Sequence, residues 1–457
     1  MDCVAHLGSH LVEYATGAKP VVAVVGGGYA GMAAAVTLAE AGVRCVVYEA
    51  AKNLGGRARR IEYRGEILDN GQHILAGAYA ELLRLMKKVD VPDTALQRIP
   101  LRLWIPPDFL LSTPRKVKLP ASVHLAFAIL TATGLSFSDK FAAIRFMQAL
   151  GRAKFQVDPF KSVATMLADH SQSQNLIDHL WQPLTISALN TPMESASAQV
   201  FANVLRDTLA SNRMASDLLL PRVDLTALFP DPAARWVVAH GGEICAGSRI
   251  KQIVPAGRRY KVLAEIGSSE FDGVVVAVGP HQLEGLMPGL RAPALAYEPI
   301  VTVYFKFDRQ VRLPEAMSGR IRGLAQWYFD RHALNAPAKA SHQDNEGLIA
   351  AVISASGPHD QLSQEELADQ VFAELAQRIP ELPTPIWRKV IAERFATFAC
   401  TPHADRPAAA TVHPAVLLAG DYVAGDYPAT LEGAVRSGVA AAQSLIAHLQ
   451  SSPHYRK

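Results

Sequence analysis

The stretch VVAVVGGGYAGMAAAVTLAEAGVRCVVYEA, beginning at Val21, admits very few folds. Val21 to Val25 form an unbroken apolar run, as suits a strand covered on both faces of a parallel sheet. Gly26, Gly28 and Gly31 follow in a G-x-G-x-x-G pattern. Gly26 permits a tight turn, Gly28 lets the backbone approach a pyrophosphate, and Gly31 lets the next helix pack close on the sheet. Tyr29 and Ala30 open that helix, and Ala33, Ala34 and Ala35 keep its contact face small. The next strand, RCVVYE, ends in Glu49, followed by Ala50. A carboxylate at that distance accepts both hydroxyls of an adenosine ribose and repels a 2′-phosphate. Strand, glycines, helix, second strand and acid together predict a Rossmann-type dinucleotide site that disfavours NADP.

The totals fit a large globular chain. Its 457 residues are 49% apolar and 19% charged, enough for two domains. A net charge of +3, with no dense Lys/Arg run, gives no reason to expect nucleic acid. Cys3, Cys45, Cys245 and Cys400 are scattered and form no C-x-x-C pair, so neither a metal site nor a disulfide framework is expected. A reducing cytoplasm is the simpler expectation. The first residues lack the basic start and apolar core of a signal peptide. No run is long enough to span a bilayer.

After Glu49 the chain reads AAKNLGGRARR. Near the C-terminus a buried strand, AVLLAG, leads through DYVAGDYPA into TLEGAVRSG. Both segments resemble the flavin amine oxidase and phytoene desaturase superfamily, which carries E-x(5)-G-G-R after its second strand and a G-D pair before a helix reading EGAVxSG. The resemblance implies FAD. It implies that Gly55 and Gly56 let the chain skim the cofactor and that Arg57 faces the pyrophosphate; Arg59 and Arg60 are either further contacts or solvated charges. It places Gly420 and Asp421 on the ribitol–pyrophosphate part, and Thr430 and the Leu431 N–H at the flavin pyrimidine. A helix N-terminus there can stabilise negative charge on the reduced ring.

The superfamily's FAD domain is discontinuous, so the expected fold is α/β, with a Rossmann-type FAD domain and an inserted α+β substrate domain. The expected division is an N-terminal extension over 1–19, an FAD domain from 20–105, 236–290 and 400–450, and a substrate or cap domain from 106–235 and 291–399. Ile250 falls where the family pairs backbone with adenine. LAFAILTATGLSFSDKFAAIRFMQALG, VATMLADH, SASAQVFANVLRDTLA and EELADQVFAELAQRIP read as helices. PIVTVYFKF, AQWYFD and GLIAAVISA read as strands.

Two further stretches, DNGQH and W-x-P-L…ALNTP…ASA, resemble the squalene-associated FAD enzymes of bacterial hopanoid pathways, the hydroxysqualene dehydroxylases. Gly71, Gln72 and His73 would then lie near the flavin. The implied reaction is reductive removal of an allylic hydroxyl: hydroxysqualene and FADH2 give squalene, water and FAD. It needs an acid, a dry apolar site and a flavin held against the carbinol carbon. His73, Asp69 and Asp426 are the candidates for the acid, each also readable as a packing or capping residue. Polyene desaturation uses the same fold and cofactor and stays open. Amine oxidation is disfavoured, because Thr430 stands where many amine oxidases place an aromatic ring. A non-catalytic FAD carrier is a third alternative. No motif identifies the donor that reduces the flavin.

A C30 isoprenoid enters from a bilayer more readily than from water. VHLAFAILTATGL, from Val123 to Leu135, is too short to span but could lie on the inner face of the cell membrane, with Arg115, Lys116 and Lys118 at the headgroups. The alternative is a buried helix of the cap.

Overall fold

The computed structural model describes residues 20–114, 121–265, 267–309, 311–335 and 347–451. The expected N-terminal extension and the basic residues Arg115, Lys116 and Lys118 lie outside them.

The strand predicted at Val21–Val25 is the centre of a five-stranded sheet. Its order is Glu243–Ala246, Arg44–Glu49, Val21–Val25, Gly273–Val276, Val416–Leu418, and every pairing is parallel. Stretches far apart in the chain therefore share one sheet. Val22 and Val24 are fully buried, as are Val274 and Val275 beside them. Each such valine stabilises the fold by about 1.5–3 kcal/mol, which is why the strands are nearly pure aliphatic. The carboxyl ends of the strands lie along one edge, where open parallel sheets bind their ligands.

A second five-stranded sheet is antiparallel, in the order Met317–Gly319, Trp327–Asp330, Leu348–Ser354, Tyr297–Lys306, Trp387–Phe398. Three of its strands are those read from the sequence. Its residues alternate between two cores. Val301, Val303, Phe305, Ile349, Ala351 and Val390 face the helix Gln364–Ala376. Tyr304, Ala350, Val352 and Ile391 face the main core. The two faces of one sheet thus pack against two separate cores.

Helices Ala121–Thr131, Phe137–Arg152, Val163–Asp169, Gln182–Leu189 and Ala198–Leu205 form the helical layer. The first long helical run predicted from sequence is two helices. Gly134 takes φ +82°, and a Cβ there would stand 2.0 Å from the Asp108 carbonyl oxygen. Ser136 and Asp139 then form a capping box that starts the second helix. The run SASAQVFANVLRDTLA also ends its α-helix early, at Leu205, and continues as a wider π-turn over Arg206–Ala210.

Candidate functional site

A cavity of ≈ 580 Å³ opens at the carboxyl edge of the parallel sheet, a volume typical of a cofactor pocket. It is lined from both ends of the chain. Gly26, Gly28, Tyr29, Ala30, Glu49, Ala50, Gly55, Gly56, Arg57, Gly71, Gln72, His73, Ile250, Gly420, Asp421, Thr430 and Leu431 all border it. Gly31 does not; it packs beneath the loop, where a Cβ would meet the Gly26 carbonyl oxygen at 1.9 Å.

The first loop is held from below and left open above. Gly26 has φ +110°, and a Cβ would lie 2.4 Å from the Ala277 carbonyl oxygen, so glycine is demanded by the fold. Gly28 differs. The nearest atom to its Cβ would be Gly56 Cα at 3.7 Å, ordinary contact. Among the described residues no neighbour crowds a Cβ there, and this side of the loop opens to the cavity. Glu49 accepts from the Gly27 N–H at 2.7 Å and the Ala51 N–H at 2.8 Å, which fixes its carboxylate beside Ser248 and Ile250 at one end.

Arg57 projects into the middle of the cavity, 40% exposed, and donates to Asp421 Oδ1 at 2.5 Å and to the Ala396 carbonyl at 2.7 Å. Burial opposes its charge, but Asp421 more than offsets this and raises its pKa. The neighbouring Tyr422 hydroxyl is buried without a hydrogen-bond partner among the described residues. A cation held by a carboxylate at the cavity wall suits a bound polyphosphate.

At the other end, Thr430 caps the helix Leu431–Ser451 by accepting from the Gly433 N–H at 3.0 Å. Glu432 turns away, fully buried, and accepts from the N–H groups of Glu81 and Leu82 at 3.0 and 2.9 Å. One carboxylate therefore pins the start of helix Ala80–Lys88 against the start of the C-terminal helix. Tyr79, which sequence reasoning missed, borders the cavity beside Thr430. Burial raises its pKa, so its phenol keeps its proton.

The three acid candidates separate. His73 borders the cavity, with Nδ1 3.1 Å from the Gly71 carbonyl oxygen. Burial, aided by the Arg57 charge, lowers its pKa against that hydrogen bond, so its imidazole is neutral at pH 7. Asp426 is exposed and does not line the cavity, and its carbonyl accepts from Asn203 at 3.2 Å. The turn carries it outward, which corrects the expectation that it faces the cofactor. Asp69 is 1% exposed and also off the cavity. Its carboxylate accepts from the Leu225 N–H at 2.8 Å and from Arg331 at 3.3 Å. Arg331 in turn donates to Gln72 Oε1 at 2.8 Å. Asp69 thus supports the cavity wall from behind, which corrects its assignment as an acid in the site.

Burial pushes the Asp69 pKa up to about 6, against the pull of Arg331. The native state then holds this proton more tightly than the unfolded chain. Its stabilising effect is full below the unfolded value near 3.9 and is lost as pH rises through about 6. Relative to Asp69→Asn, the native chain should lose up to about 3 kcal/mol between pH 4 and pH 7. Urea unfolding of both proteins across that range checks this; parallel profiles contradict it.

Sequence reasoning also missed Asn70, Asn190, His281, Glu393, Phe395 and Thr397, all on the cavity wall. Most of them come from, or contact, the strand Trp387–Phe398. Its Ile391, Glu393, Phe395 and Thr397 border the cavity, joined by Ala396 where the strand register breaks, a signal that charged neighbours obscured.

Comparison with known proteins agrees with this geometry. The family described as flavin containing amine oxidoreductase matches residues 29–446. The hydroxysqualene dehydroxylase of Rhodopseudomonas palustris is 29% identical, over 93% of this chain and 98% of the relative. The 15-cis-phytoene desaturase of Synechococcus elongatus is 24% identical, over 93% of this chain and 96% of the relative. A solved oxidoreductase from Methanosarcina mazei shares the fold with a TM-score of 0.71 at 15% identity, covering 93% of this chain and 99% of that one. The match runs through both ends of the cavity, and the chain belongs to the flavin containing amine oxidoreductase family, as an FAD-dependent oxidoreductase.

Proposed function

We propose that the protein carries out FAD-dependent reductive dehydroxylation of hydroxysqualene to squalene. The observation that carries this reading is the near-full-length similarity to a relative of that name. Thr430 at the capped helix end, in place of an aromatic ring, weighs against amine oxidation.

In this reading Glu49 holds the adenosine ribose and the Ile250 backbone meets the adenine. The Gly26–Ala30 loop, Arg57 and Asp421 take the pyrophosphate and ribityl chain. Thr430 and Leu431 meet the pyrimidine ring, where the helix N-terminus favours negative charge. Bound in its reduced form, FAD supplies a hydride. The chain's own part is to fix the carbinol carbon near that hydride, keep water away from it, and provide a proton for the departing hydroxyl.

The test is anaerobic. Dithionite-reduced holoprotein is mixed with hydroxysqualene, flavin absorbance is followed, and the hydrocarbon is identified. Return of the oxidised flavin spectrum with formation of squalene is expected. Similarity to the phytoene desaturase supports the rival reading. Oxidised holoprotein that bleaches with phytoene, together with reduced holoprotein that leaves hydroxysqualene untouched, would establish that rival.

We also propose peripheral contact with a membrane through helix Ala121–Thr131. Among the described residues no helix is long and apolar enough to cross a bilayer. This helix has two faces. Leu125, Ala128 and Ile129 are buried, while Phe127 and Leu130 are 44% and 41% exposed. Phe137 and Phe141 extend the exposed apolar surface into the next helix, with Lys140 over the Phe137 ring. The double substitution Phe127→Asp, Leu130→Asp should leave folding and FAD content intact, since both side chains lie on the exposed face and outside the core. It should cut co-sedimentation with anionic liposomes at least about a hundredfold, because two insertions are lost and each is worth about 1.5–3 kcal/mol. Undiminished co-sedimentation of the folded variant would remove this face as the membrane contact.

A further inference from the structure

Among the described residues the cavity is bordered by three carboxylates, Glu49, Asp421 and Glu393, and two are committed. Glu49 is held by two backbone N–H groups at the Ile250 end. Asp421 is paired with Arg57. Glu393 accepts from neutral donors: the Asn70 amide at 3.1 Å and the Phe395 N–H at 3.3 Å. Its strand position sets its surroundings. Glu393 pairs with Ile300 across the sheet, and Ile391 and Phe395 flank it on the same face. All three of those side chains border the cavity. Asn70 ties Glu393 to the segment that continues into Gly71, Gln72 and His73. A carboxyl group that Arg57 feels but does not pair with thus stands among Ile300, Ile391 and Phe395, beside the segment expected at the flavin.

We propose that Glu393 is the catalytic acid that protonates the departing hydroxyl. The proposal rests on the dehydroxylase reading. It fills the place that Asp69 and Asp426 cannot take, because neither lines the cavity, and that His73 leaves open with Nδ1 turned to the Gly71 carbonyl. The step balances. The C–O bond breaks with both electrons going to oxygen, which takes the Glu393 proton and leaves as water. The allylic carbon receives a hydride from the two-electron-reduced flavin, so the substrate gains two electrons and FAD is left oxidised. Solvent returns the proton to Glu393. His73, with Nδ1 turned to the Gly71 carbonyl, shapes the pocket without serving as the proton source.

The test uses full-length holoprotein as native, Glu393→Gln, Glu393→Asp and His73→Asn forms. Reduced protein is mixed anaerobically with hydroxysqualene in detergent micelles. Glu393→Gln should slow flavin reoxidation by roughly 10²–10⁴-fold, the usual worth of a positioned acid, with little change in the substrate concentration at half-saturation. Its FAD affinity, its oxidised flavin spectrum and its reoxidation by oxygen should match the native protein. Glu393→Asp should recover part of the rate, and the pH dependence on the side where an acid must stay protonated should vanish in the Gln form. His73→Asn, which removes a wall residue of the cavity, should lower rate and FAD affinity together, unlike Glu393→Gln. A native-like rate in Glu393→Gln overturns the proposal. So does a rate loss accompanied by equal loss of FAD binding in both the Gln and Asp forms, which marks a structural carboxylate. If the native protein itself makes no squalene, the dehydroxylase reading has failed and this role falls with it.

Discussion

Arg406→Ala is expected to yield a folded protein that no longer retains FAD. Between the strand Val416–Leu418 and the helix Leu431–Ser451 runs an irregular loop that carries Asp421 and Tyr422 into the cavity. Irregular backbone inside a protein needs partners for its carbonyls. Arg406 provides them. Its guanidinium donates to the carbonyls of Gly425 at 2.7 Å, Tyr427 at 2.8 Å, Asp421 at 3.0 Å and Tyr422 at 3.4 Å, and to that of Val423. It lies over the Phe398 ring, 4.7 Å from the centroid. Burial lowers its pKa, against the pull of nearby Cys400 and Asp421. A hydrogen bond to a charged group is worth about 1.5–3 kcal/mol, and removing the donor leaves several carbonyls unsatisfied. The loop should relax, and Asp421 with it. FAD affinity should fall at least about a hundredfold, as judged by titration of apoprotein. Arg406→Lys should fall between, since an ammonium keeps the charge but not the planar fork. Native affinity in Arg406→Ala would show that the loop holds its shape unaided.

Much of this was legible in the sequence, for local reasons. The unit from Val21 to Ala50 folds on its own neighbours, so aliphatic runs, glycine spacing and a terminal acid suffice to read it. Arg57 and Asp421 are 364 positions apart, and only their motifs announced that they would meet. What stayed hidden depends on tertiary context. The strand Trp387–Phe398 carries Glu393 on the cavity and Arg388, Lys389 and Arg394 off it, and those charges masked its alternation. Asp69, Asp426 and Glu393 look alike as letters. Their difference is direction: one turned into a buried pair with Arg331, one into solvent, one into the cavity. Helix Ala121–Thr131 was read as either docking surface or core. It has one buried face, with Leu125, Ala128 and Ile129, and one exposed apolar face, with Phe127 and Leu130.

The two ends of the chain also meet at a point with no chemistry, and there a single methyl group should be decisive. Helix Tyr29–Glu40 and helix Leu431–Ser451 cross at Gly438. A Cβ on Gly438 would stand 2.1 Å from the Ala30 carbonyl oxygen and 2.9 Å from its carbon. Both are main-chain atoms of a buried helix, so neither can swing aside as a flexible side chain would. On helix propensity alone, Gly→Ala gains about 1 kcal/mol. The overlap opposes this. Forced overpacking costs about 1–3 kcal/mol even where side chains can adjust, and here the helices themselves must separate. Separation moves Leu431 away from the Gly26–Gly28 loop, the two halves of the cofactor site. Gly438→Ala should therefore lower unfolding free energy by about 2 kcal/mol or more and strip the protein of FAD. Gly151 gives the matched control. It lies in helix Phe137–Arg152, where a Cβ would meet nothing within 4 Å, so Gly151→Ala should be neutral or slightly stabilising. Denaturant unfolding and the visible flavin absorbance of both variants decide the matter: if Gly438→Ala behaves like Gly151→Ala, the close crossing of the two helices is not what holds the cofactor site together.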